Sequence, residues 1–127
     1  MQESHLFEYA AIRAVPRVDR EEFVNVGVIL YCAKKRFLQT MYTVNEERLR
    51  AFCPDLDIPE LREHLQAVEA VCHGGAAGGP IGLLDIAGRF RWLTATRSTI
   101  LQSSKVHTGF AADPSAALQR LHALLVL

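Results

Sequence analysis

The stretch from Arg89 to Gly109 carries Arg89, Arg91, Arg97 and Lys105 and not one Asp or Glu. Arg97, with the Ser98 and Thr99 hydroxyls, Lys105 and His107, would supply charge-assisted donors to a phosphate or a carboxylate. Phe90 and Trp92, interleaved with the arginines, would suit base stacking in a nucleic-acid module and are equally ordinary as core residues. The opposite charge collects upstream. Asn45 to Ala70 holds seven acids (Glu46, Glu47, Asp55, Asp57, Glu60, Glu63, Glu69) against three bases, Arg48, Arg50 and Arg62. Either the two segments satisfy each other across the surface and face water, or the second is an anion-recognition surface.

Asn25 is the other chemically suggestive residue. It lies inside the apolar run Phe23-Val24-Asn25-Val26-Gly27-Val28, where a buried amide without partners costs about 1 to 3 kcal/mol. Gly27, of the same strand parity, removes a side chain beside it. The plainer reading is a β-bulge or a locally satisfied amide. The functional one is a polar notch that positions a neighbouring strand, a partner backbone or a ligand.

Other chemistries lack their residues. The glycine run His73 to Pro80 contains no G-x-x-x-x-G-K-[S/T] and no G-x-G-x-x-G between a strand and a helix. His5, His64, His73, His107 and His122 never occur as H-x-x-x-H, and adjacent Cys72 and His73 would point about 100° apart on a helix, so no metal site is expected. No serine occupies a G-x-S-x-G elbow. Cys32, Cys53 and Cys72 are odd in number and widely spaced, which points to buried free thiols rather than a disulfide framework. No cofactor is implied, and an enzymatic role finds little support.

The elements that would position these residues follow from periodicity. Leu6 to Val15 reads as a strand ended by Pro16, which has no N–H to donate to a ladder. Glu22 to Cys32 is apolar on both parities, as in a central strand covered on both faces. After the charged turn Lys34-Lys35-Arg36, Phe37 to Val44 alternates, completing a three-stranded antiparallel meander. Asn45 is an N-cap for a short helix to about Phe52. Asp57 caps a longer one with Leu61, Leu65, Val68 and Cys72 on one face. His73 to Pro80 reads as a flexible loop and Ile81 to Ala87 as a short helix or turn. Phe90 to Leu93 and Thr99 to Gln102 could be edge strands. Asp113 and Pro114 open a final helix bearing Leu118, Leu121 and Leu125. The expectation is one α+β domain over 1–127, a small antiparallel sheet with about three helices packed on it.

With 127 residues, half of them apolar and 22% charged, the chain has the composition of a globular domain rather than a disordered one. Fourteen Lys plus Arg cancel fourteen Asp plus Glu, which removes any bulk electrostatic reason to expect nucleic acid or a membrane surface. The polar, acidic start Met1-Gln2-Glu3-Ser4-His5 is unlike a secretory signal. The apolar run Val26 to Ala33 is far shorter than a membrane span, so a cytoplasmic location is expected.

Three blocks carry a family resemblance: Tyr9 to Pro16, Arg20-Glu21-Glu22-Phe23-Val24-Asn25-Val26-Gly27-Val28-Ile29-Leu30, and Phe90 to Thr99 with His107-Thr108-Gly109 and Asp113-Pro114. Together they resemble the bacterial family catalogued as domain of unknown function 3037, along essentially the whole chain. The resemblance implies a small cytosolic protein encoded beside one with a HipA-like kinase domain. It would then be a partner or accessory in a two-gene module of toxin-antitoxin or stress-response type. It also marks Arg13, Glu22, Asn25, Arg97, Ser98 and His107 as the recurring polar positions. The sequence departs from the family's pattern where Thr96 and the region of Ser104 stand in place of prolines, leaving the backbone around Arg97 less constrained.

Two functions are therefore expected to compete. One is a non-enzymatic interaction protein that binds a protein partner, such as the kinase, through a sheet edge or the basic C-terminal face. The other is a binding module or enzyme for phosphate or nucleic acid, in which Arg13, Arg97 and Lys105 clamp the anion and Glu22 serves as base or metal-binding carboxylate. An unpaired edge strand could also mediate a homodimer, and the sequence does not choose between monomer and dimer.

Overall fold

A computed structural model of the chain describes residues 3–95 and 99–127. The N-terminal third forms the expected meander of β1 (His5–Ala14), β2 (Val24–Cys32) and β3 (Phe37–Tyr42). Two further strands, β4 (Leu101–Ser103) and β5 (His107–Ala111), both pair with β1 on the side away from β2. β5 lies along the first half of β1 and β4 along the second, so two short strands share the fourth place of an antiparallel sheet ordered β3-β2-β1.

Ser104 bridges the break between them. Its Oγ accepts the Ala11 N–H at 2.8 Å and its own N–H donates to the Ala11 carbonyl at 2.9 Å. Between the Tyr9–His107 and Ile12–Ser103 pairs, β1 contributes two residues and the opposite chain three, which is a bulge. The buried peptide group of Ala11 is thereby satisfied where a regular ladder would have left it open.

Helices cover both faces. α1 (Glu46–Phe52) and α2 (Ile58–His73) start at Asn45 and Asp57, whose side chains accept the Arg48 and Glu60 N–H groups, each at 3.0 Å. α3 (Gly79–Gly82) is a single turn, and α4 (Ile86–Leu93) is capped by Asp85. α5 (Pro114–Leu125) begins at Asp113. Leu49, Leu61, Leu65, Phe90 and Leu93 pack on Ile12, Val26 and Ile29 on one face of the sheet. Leu118 and Leu121 of α5 pack on Phe7, Val28 and Leu30 on the other. β2, buried on both parities, is the covered interior strand its sequence predicts.

Three expectations need correction. Phe90 to Leu93 is not a strand but the second half of α4. The Asp85 cap starts a helix whose Ile86, Phe90 and Leu93 recur at i, i+4 and i+7. The glycine run is not a plain loop: Ala76–Gly78 form a 3-10 turn that leads into α3, and the Gly75 N–H donates to the Gly82 carbonyl at 2.8 Å. With α3 and α4, five helices occur among the described residues rather than about three. β5 lacked a clear sequence signal because its centre is Gly109, which the ring of Phe7 requires: a Cβ there would come within 2.6 Å of that ring.

Candidate functional site

The β1–β2 ladder changes register between Ile12 and Arg13: Ile12 pairs with Gly27 but Arg13 pairs with Asn25, so Val26 is the extra residue of a bulge. The bulge turns Asn25 away from the face that Gly27 shares with Ile12 and toward α5, where its Nδ2 donates to the Leu125 carbonyl at 3.2 Å. Parity alone had set Asn25 and Gly27 on one face. Beside Asn25, the Arg13 guanidinium lies 3.9 Å from the centre of the half-exposed Phe23 ring. The Asn25 Oδ1 and Arg13 Nε are buried without a hydrogen-bond partner. A narrow cleft of about 80 Å3 opens between Asn25, Thr43, Arg48 and Val126, and Arg48 Nη1 donates to the Val126 carbonyl at 3.0 Å across it. Asn25 and Arg48 thus hold carbonyls at the C-terminal end of α5, where a helix leaves them unpaired.

Among the described residues, no hydrogen bond or ion pair joins Glu22, Lys105 or His107 to this pair. Glu22 is exposed and accepts from Arg20 Nε at 2.8 Å and Nη2 at 2.6 Å. Lys105 and His107 are exposed at the start of β5, and the His107 ring stands 5.4 Å from that of Tyr9. Arg97 and Ser98 lie outside the described residues. Of the other bases in that segment, Arg91 makes a two-pronged pair with Glu8 at 3.0 and 3.2 Å. Arg89 donates to the carbonyls of Val71 at 2.9 Å, Cys72 at 2.7 Å and Leu84 at 3.2 Å. Both guanidiniums thus serve the fold, Arg89 by capping the C-terminus of α2.

A larger concavity than the one at Asn25 lies elsewhere. A cleft of about 410 Å3 runs beside β3, with Arg36 to Thr40 along one wall and Glu69, Cys72, His73, Ile86 and Arg89 along the other. Among the described residues β3 pairs only with β2. The Thr43 N–H donates inward to the Val26 carbonyl at 2.9 Å, so the alternation of an antiparallel ladder turns the peptide groups of Leu38 and Thr40 outward along the cleft. Lys34, Lys35 and Arg36 stand exposed at one end, in a turn that Arg36 closes in the left-handed region at φ 51.

One wall of this cleft carries a thiol, Cys72. Burial pushes the Cys72 thiol up to about 12, the Arg89 charge opposing it only in part, so the thiolate that a nucleophile requires is withheld. Glu69, also in the cleft's lining, accepts from the Tyr42 phenol at 3.1 Å, and burial and then that hydrogen bond raise the phenol. Among the described residues no three His, Cys, Asp or Glu side chains gather closely enough to hold a metal ion. The sequence contained a signal for this groove that periodicity reasoning passed over: a meander whose third strand is followed at once by a helix leaves that strand as an edge.

The sequence model of a family described as a protein of unknown function (DUF3037) matches residues 9–126. No curated protein and no solved structure matched the chain.

Proposed function

We propose that this chain, which belongs to the DUF3037 family, is a non-enzymatic interaction protein that receives an extended segment of a protein partner along the free edge of β3. The observation that carries this reading is the 410 Å3 cleft beside the outward-facing peptide groups of β3, whose outer edge has no partner strand among the described residues. A strand added there gains affinity from main-chain hydrogen bonds and specificity from the side chains it lays into the cleft. The partner to which the family resemblance points is a bacterial protein with a HipA-like kinase domain encoded beside this one, within a two-gene cytoplasmic module. No helix among the described residues is long and apolar enough to cross a membrane.

The phosphate- or nucleic-acid-directed alternative retains Lys105 and His107 as exposed donors but finds Arg89 and Arg91 already engaged. Coexpression with the neighbouring kinase tests both readings. A stoichiometric complex whose amide exchange slows at Leu38 and Thr40, and which Thr40→Pro abolishes without loss of helical and strand content, supports strand addition. Binding unaffected by Thr40→Pro, or protection confined to Lys105 and His107, rejects it. Recovery of bound nucleotide in place of the kinase favours the alternative.

A further inference from the structure

The geometry points to a second interaction surface, independent of the β3 cleft: the β5 edge joins two copies of this chain into one continuous sheet. Ala11 engages Ser104 through both its N–H and its carbonyl, so alternation along β1 directs the peptide groups of Phe7 and Tyr9 toward Gly109 and His107. Those of Thr108 and Phe110 are left facing outward. Beside this open edge lies bare apolar surface. Leu6 and Phe110 are directly opposite each other in the β1–β5 ladder, and they are 51% and 70% exposed. At the neighbouring position on the same face, Arg91 of α4 pairs with Glu8.

Edge strands of proteins that stay single are usually blunted by charge or proline within the strand. From Val106 to Ala112, across β5 and one residue on either side, the chain carries no Lys, Arg, Asp, Glu or Pro. The flanking charges fit a second copy of the same strand. Antiparallel pairing about Gly109 sets Thr108 opposite Phe110 of the second copy and brings the two Phe110 rings to diagonal positions, within aromatic reach. The same register sets Lys105 opposite Asp113 of the second copy, twice by symmetry, as an isologous interface requires. Its twofold axis stands perpendicular to the sheet, so both copies present their α4 faces on the same side.

The test is light scattering of the full chain over a concentration series, with Phe110→Lys and, as a control for the same change of character elsewhere, Leu83→Lys, at the C-terminal cap of α3 and 74% exposed. The expected result is twice the single-chain mass of 14.1 kDa for the wild type and for Leu83→Lys, falling to the single-chain mass in Phe110→Lys with unchanged circular dichroism. Lys105→Glu should raise the dimer dissociation constant several-fold at low salt and less at high salt. A wild type that keeps the single-chain mass throughout, or a doubled mass that survives Phe110→Lys, overturns the proposal.

Discussion

Arg13 and Asn25 stand opposite each other across the β1–β2 ladder, one step past the bulge at Val26, and each buries one polar atom that the fold leaves unpaired. Asn25→Leu removes the bond to the Leu125 carbonyl and leaves Arg13 facing an apolar neighbour. It should cost about 1 to 3 kcal/mol. Replacing both partners, Arg13→Met with Asn25→Leu, should cost less than the two single changes added together. Urea denaturation of the four proteins measures that coupling; strict additivity would show the pair to be independent.

Arg89→Ala should destabilise by about 2 kcal/mol or more, because one guanidinium satisfies carbonyls of Val71, Cys72 and Leu84 at once. Arg89→Lys, with a single ammonium in place of the planar fork, should recover only part of the loss. Thermal melts of the two variants rank them.

Ser104→Ala strips the hydroxyl that accepts the buried Ala11 N–H. A loss of about 1 to 3 kcal/mol is expected. Hydrogen exchange at the Ala11 amide should accelerate beyond what the global loss of stability explains, since that amide loses its acceptor.

Cys72 sets a high-pH limit. In the fold its thiol holds its proton to about 12, against an ordinary value of 9.0. Below pH 9 both folded and unfolded chains carry the proton and the residue contributes no pH dependence. Between pH 9 and 12 only the unfolded chain releases it, so stability falls as pH rises, by about 1.4 kcal/mol per unit at most. Cys72→Ala should show a shallower decline over that window in denaturant titrations. Equal slopes would assign the decline to other groups.

Local rules carried much of the architecture into the sequence. The meander and the caps at Asn45, Asp57 and Asp113 were legible because alternation, helical spacing and side-chain capping act over a few residues. Phe90 to Leu93 misled because four residues do not separate a strand from the end of a helix, and the deciding group, Asp85, lies five residues before Phe90. β5 and the role of Ser104 were hidden for a different reason: both depend on β1, on the order of a hundred positions away. Of the candidate site, Asn25 was visible as a polar residue in an apolar strand. Its direction was not, because a one-residue bulge reverses every side chain beyond it. The β3 cleft comes from the tertiary placement of α2 and α4 beside an edge, which no local pattern records.

The sharing of one side of β1 between β5 and β4 also bears on how the chain reaches this state on the ribosome. Contacts such as Ala11 with Ser104 join residues 93 positions apart, so they form late and slowly compared with the hairpins of the meander. Until the last third has emerged, the nascent meander presents β1 as a second raw edge, with Phe7 lacking the Gly109 backbone that covers its ring in the finished fold. Slowing synthesis of the last third should lengthen that exposed interval and increase chaperone capture or aggregation.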